Sequence, residues 1–311
     1  MWRPVAETAA YVLVAATLAV RAPLLASVVG LMVLGILHNV FELRYVLARW
    51  RGSFTGTFRV TVLALVTAIA ATRLTGGSAP ARRVEVVAGF AILAAGMAYG
   101  ARRRRVLAAV GLPMVALAGA WAWTHLDLYF VAVTYLHNLV PFVFLWDWSS
   151  RALRGAARNA FRLVQAAWLL VVPALLLGGV LPVPSLASQE VSFAGPLSAH
   201  VATVAPPAWR GPEAARLLAV FAFLQVLHYA FWCAFLPRHA VDVQPSPRDR
   251  ATRVALWAAV GAVVAVFAFG YLTAWTSTKM AYTSLASYHA YVEYAVLALV
   301  VFRPTDREVP A

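Results

Sequence analysis

LLASVVGLMVLGILHNVFEL, residues 24–43, decides the fold. Its apolar side chains run on without helical or strand alternation, interrupted deep in the stretch by His38, Asn39 and Glu42. At about 1.5 Å rise per residue, such a segment is long enough to cross the roughly 30 Å hydrocarbon core of a bilayer as one helix. Nine more stretches read the same way: 5–20, 58–74, 84–100, 106–123, 126–146, 161–181, 214–236, 252–275 and 280–302. The chain is expected to be all-α, a polytopic transmembrane bundle of about ten helices. The first, third and fourth stretches are short, which sets the range at eight to ten. Composition agrees: 62% of the 311 residues are hydrophobic, 12% are charged and the mean hydropathy is +0.76, where a soluble domain is about half apolar and a quarter charged.

The formal net charge of +14 marks topology and does not call for nucleic acid, because the arginines sit in short clusters between apolar runs. Arg44, Arg49, Arg51 and Arg59 follow the second span, Arg102 to Arg105 the fourth, and Arg151, Arg154 and Arg158 the sixth. Arg238, Arg248, Arg250 and Arg253 follow the eighth, and Arg303 and Arg307 the tenth. Clusters after every second span place both termini in the cytoplasm. Arg73, Arg82 and Arg83 are exceptions, since this topology puts them outside. The connection at 182–213, rich in Pro and Ser, is expected to be an external loop between the seventh and eighth spans of a single membrane domain covering 1–311. The start of the chain lacks a cleavage pattern and reads as a retained first helix. Cys233 is the only cysteine, which excludes an intrachain disulfide and a thiolate metal cluster. The Ala-, Val- and Arg-rich composition suits a bacterial inner-membrane protein.

Ionisable groups at membrane depth are costly and mark function by default. Four of the seven histidines fall inside predicted spans: His38, His137, His228 and His289. All lie on even-numbered spans, six to fourteen residues before the next cytoplasmic arginine, which places them roughly 9–21 Å from the cytoplasmic ends. One slab can hold all four as metal ligands. Glu42 and Glu293 each follow a histidine by four residues, in HNVFE and HAYVE, so imidazole and carboxylate share a helix face. Imidazole with carboxylate suits iron, manganese or zinc, and the carboxylates are either ligands or groups that orient the imidazoles. Asn39 and Asn138 read as interhelical hydrogen-bond partners or as support for the ligands. Gln225, three residues before His228, reads the same way. His125 and Asp127 are expected at a solvated turn, and Asp147 at a membrane interface with Trp146 and Trp148. His200 and His239 look incidental.

GILHNVFE, a glycine, a mid-membrane histidine and a carboxylate four residues on, resembles the first histidine motif of the Brp/Blh-like β-carotene dioxygenases, retinal-forming membrane proteins of bacteria and archaea. Leu37-His38-Asn39 stands where that family has Pro-His-Gly, and YLHN at 135–138 departs from its His-Phe-Gly. The resemblance implies an all-helical protein whose membrane histidines hold a non-haem iron and which cleaves a carotenoid with O₂. The HxxxH and HxxHH boxes of membrane desaturases are absent, as are Rossmann, P-loop, HExxH and GxSxG signatures. The expected function is a metal-dependent oxygenase or oxidoreductase, using Fe(II) on an apolar, lipid-soluble substrate such as a carotenoid or another isoprenoid that enters from the lipid bilayer. Haem held by facing histidines for electron transfer, or a transporter or proton relay built on the His and Glu pairs, are the alternatives.

Overall fold

The computed structural model describes residues 2–50, 52–101, 104–240 and 250–302. Arg51, Arg102, Arg103, Arg248, Arg303 and Arg307, used above as topological markers, lie outside the described residues. Within them the regular structure is helical, with ten helices long and apolar enough to cross a membrane. These are α1 (Arg3–Arg21), α2 (Pro23–Trp50), α3 (Gly56–Arg73), α4 (Ala79–Ala101), α5 (Arg105–Thr124), α6 (Leu126–Ala152), α7 (Gly155–Leu177), α8 (Gly211–His239), α9 (Arg250–Thr273) and α10 (Trp275–Phe302). Each predicted span falls within one of them or overruns its end by a few residues. The connection at 182–213 carries more structure than a loop, with two single 3₁₀ turns and a short helix, Leu197–Val204. It is tied down by polar contacts: the Gln189 side-chain carbonyl accepts from the Leu24 amide at 3.1 Å, satisfying an N–H that the start of α2 cannot pair internally. The Tyr135 hydroxyl lies 2.8 Å from the carbonyls of both Val204 and Leu217.

The chain forms two compact units, each assembled from separated segments. The first contains residues 1–42 and 130–276: α1, the first two-thirds of α2, most of α6, then α7, α8 and α9. Its core is α8, buried over most of its length, with Phe223, Phe231, Trp232 and Phe235 fully buried. Helix α2 approaches α8 at Gly30, where a Cβ would come within 3.2 Å of the Tyr229 ring. Two wide π turns, Ala167–Val171 in α7 and Phe231–Phe235 in α8, interrupt the α-helical ladder. Both end two residues before a proline, Pro173 and Pro237. A proline cannot donate to the carbonyl four residues back and its ring collides with it; widening the preceding turn by one residue relieves that collision without ending the helix. The two turns meet, with Trp168 and Phe231 at 5.7 Å between ring centroids.

The second unit contains residues 43–129 and 277–311. Helices α3, α4 and α5 pack in sequence, and α10 closes on α4 at Gly96, where a Cβ would lie 2.7 Å from that of Ala298. Small residues at such a crossing let backbones come together where no hydrophobic force separates helix from lipid. The three arginines that broke the expected charge pattern all have partners here. Arg73 forms an ion pair with Glu85 at 2.5 Å and donates to the Thr283 carbonyl at 3.1 Å. The Tyr291 hydroxyl donates to the same carboxylate at 2.5 Å. Arg82 pairs with Asp127 at 2.7 Å, and the Arg83 guanidinium lies over the Trp123 ring at 5.3 Å. Asp127, expected at a solvated turn, is indeed exposed, and its partner is that arginine.

These ion pairs differ in worth because they differ in burial: 22% and 5% side-chain exposure for Arg73 and Glu85, against 29% and 60% for Arg82 and Asp127. Glu85→Ala removes the counter-charge of a half-buried guanidinium and is expected to cost about 3 kcal/mol. Arg82→Ala should cost under about 1 kcal/mol. Thermal unfolding of both variants in one detergent checks the order.

Candidate metal centre

Three of the four predicted histidines come together in the first unit. His38 on α2 and His228 on α8 have ring centroids 5.0 Å apart, His137 on α6 lies 4.6 Å from His228, and His38 and His137 are separated by 6.4 Å. His38 and His228 are almost wholly buried. Glu42, one turn beyond His38, is fully buried and reaches across to α8, its Oε2 3.9 Å from Nε2 of His228. One ligand atom from each of His38, Glu42 and His228 lies within 4.8 Å of the others, a group that can hold a metal ion. His289 and Glu293 are buried on α10 in the second unit.

Local helix chemistry fixes which atoms are presented. Nδ1 of His38 lies 3.2 Å from the Leu34 carbonyl one turn back. If that nitrogen carries the proton and donates, the lone pair is left on Nε2, the arrangement by which backbone carbonyls orient metal-binding imidazoles. Neither ring nitrogen of His228 has a hydrogen-bond partner among the described residues, and its ring faces the backbone of His137 and Asn138. Pro141 explains why that backbone is open to it. In an unbroken helix the amide of residue 141 would donate to the His137 carbonyl, and proline has no such hydrogen. Helix α6 continues through Pro141, so residue 141 offers the His137 carbonyl no donor, and that carbonyl lies beside the His228 ring.

The amides around the centre behave differently from one another. Asn138, read as an interhelical partner or as support for the ligands, donates to the Thr134 carbonyl of its own helix at 2.7 Å. Asn39 is buried, and its Oδ1 has no hydrogen-bond partner among the described residues. Gln225 is bonded to the hydroxyl of Tyr229 at 3.0 Å. Tyr229 packs directly on the centre, 4.7 Å from the His38 ring and 5.8 Å from that of His228.

Other polar residues hold the frame. His239, read from sequence as incidental, pairs with Glu7 at 2.8 Å, joining the end of α8 to α1. His200 lies 2.8 Å from the Ala194 carbonyl within the 182–213 connection. Asp147 pairs with Arg151 one turn on, at 3.1 Å. Neither Glu7 nor Glu85 stood out in the sequence, although an unexplained Arg73 on the wrong side of the charge pattern is itself a signal to look for a nearby acid in an apolar stretch.

No protein-family model, no curated protein and no solved structure matches the chain. Fold and site therefore define the class by themselves: an all-helical bundle of membrane-spanning dimensions with a buried histidine–carboxylate group.

Replacing Pro141 by alanine restores a donor to the His137 carbonyl and withdraws it from His228. Metal affinity is expected to fall about tenfold or more, the usual effect of losing an orienting contact behind a ligand, while helicity stays unchanged. Titration with Co(II), followed by its visible absorption, measures the affinity; circular dichroism measures the helicity.

Proposed function

We propose that the first unit is the catalytic core of a multi-pass membrane oxidoreductase, a non-haem iron oxygenase acting on an apolar, lipid-soluble substrate. The convergence of His38, Glu42 and His228, with ligand atoms within 4.8 Å of one another, carries this reading. Two imidazoles and one carboxylate are the donor set of non-haem Fe(II) oxygenases, which leave positions open on the metal. Bound Fe(II) in that set supplies activation of O₂. The protein's part is to hold the three donors on two helices, α2 and α8, to keep His137 within reach as a further ligand or proton carrier, and to exclude water by enclosing the group among apolar helices. The resemblance at GILHNVFE points the same way, toward a carotenoid or another isoprenoid that reaches the site from the bilayer.

The same reading places the chain in a bacterial inner membrane with both termini in the cytoplasm. Partnered charges support that topology. Arg73, Arg82 and Arg83 are engaged with Glu85, Asp127 and Trp123, and cations so held are not the free loop charges on which the positive-inside tendency rests.

Purified protein loaded anaerobically with Fe(II) is expected to retain about one iron per chain, a single facial site being filled. His38→Ala, Glu42→Ala and His228→Ala should each lose most of it while the helical circular dichroism persists. Arg82→Ala should keep it. A preparation with a Soret band would assign the histidines to haem, and full iron retention by the three variants would end the proposal.

A further inference from the structure

Gln225 is buried within α8, with 7% of its surface exposed, and only one end of its carboxamide has a partner. Its bond to the Tyr229 hydroxyl leaves the other end, Oε1 as assigned, without a hydrogen bond among the described residues. Exchanging the amide nitrogen and oxygen, which have nearly the same shape, does not remove the deficit: Oε1 would then take the Tyr229 contact and the NH₂ would be left over. Among apolar helices no bulk water is at hand to fill the vacancy. Nor can Tyr229 move away to free the partnered end, since its ring is wedged between His38, 4.7 Å away, and the side-chain-free face of Gly30.

Position gives this unsatisfied amide its meaning. Gln225, His228 and Tyr229 are spaced i, i+3, i+4, so they share one face of α8, and Gln225 is displaced from His228 by about 4.5 Å along the axis. A polar group presented there lies about one helical turn from the candidate metal ligands.

We infer that the Gln225–Tyr229 pair receives a hydroxyl group of an otherwise apolar substrate, selecting a long-chain or isoprenoid alcohol over the corresponding hydrocarbon. A hydroxyl both donates and accepts, so it satisfies the carboxamide in either orientation. A hydrocarbon would leave the buried amide unpaired, and a site built to bond a hydroxyl discriminates strongly against the analogue that lacks it. The inference deepens the oxygenase reading and rests on it for the role of the bound molecule; the amide itself is a separate observation.

The test compares binding of a fluorescent conjugated polyene alcohol with that of the polyene hydrocarbon of equal length, by tryptophan energy transfer, using the full chain in lipid nanodiscs with and without Fe(II). Wild-type protein is expected to bind the alcohol about tenfold more tightly, the scale set by one buried hydrogen bond. Gln225→Leu, of similar volume, should bring the ratio close to one without changing iron content or helicity. Gln225→Asn, which withdraws the carboxamide by one methylene, should also lower the ratio and serves if the leucine variant does not fold. Equal binding of the two probes to wild type, absence of binding by either, or a ratio unchanged in the Gln225 variants would overturn the inference. Alcohol preference in a protein that binds no iron would sink the oxygenase reading alone; iron binding without alcohol preference would sink this inference alone.

Discussion

A polar group inside a sleeve of apolar helices has no water to fall back on, and each one must be met by another group of the protein or of a ligand. That constraint organises both units. In the second, Glu85 is met by Arg73 and Tyr291, and Arg73 by Glu85 and the Thr283 carbonyl, so α3, α4 and α10 are joined by charge-assisted bonds where lipid and leucine would not distinguish one packing from another. In the first, the same demand is answered for His239 by Glu7 and for the Leu24 amide by Gln189. The contrast with the centre is instructive. Around His228 and Gln225, polar atoms are gathered without being fully paired among the described residues. Unpaired polar atoms also occur elsewhere, at Thr8 on α1 and Gln165 on α7; those on α8 differ in lying beside a histidine–carboxylate group able to hold a metal ion.

Proline does much of that preparation. A proline beyond the first turn of a helix costs a hydrogen bond, and three such prolines fall in the helices that build or brace the centre. Pro173 and Pro237 are absorbed by π turns that touch each other through Trp168 and Phe231. Pro141 is absorbed differently, with α6 running on and the His137 backbone facing the His228 ring. The first two change the rotational phase of α7 and α8 by inserting an extra residue into one turn, so residues on either side of the bulge face directions that uniform helical spacing would not give.

Much of this was legible in the residue order. The ten apolar stretches translate into ten helices because apolar runs of that length have few other ways to satisfy their backbone. His38, His137 and His228 stood out for the same energetic reason, and Glu42 through its spacing from His38. Less visible was the distribution of roles. Spacing of four residues places Glu42 on the face of its own helix neighbour, yet its carboxylate also approaches His228 on another helix, and no periodicity encodes which helix lies opposite. Asn138 is bonded along its own helix, to the Thr134 carbonyl one turn back. The Arg73–Glu85–Tyr291 network draws on three helices far apart in the chain and left a single trace in the sequence, an arginine on the unexpected side.

The two histidine–glutamate pairs show how far a shared pattern can carry. HNVFE and HAYVE offer the same residues at the same spacing, and both pairs are buried, so burial alone does not tell them apart. Within the first unit, HNVFE is surrounded by His228 and His137 on facing helices, a Leu34 carbonyl placed to hold the imidazole proton, and a glycine at residue 30 that lets Tyr229 close over the ring. A motif on one helix supplies at most two donors. A metal centre needs the third donor and the contacts behind the ligands, and those come from the way α2, α6 and α8 are brought together, which depends on Gly30 and Pro141 as much as on the histidines themselves.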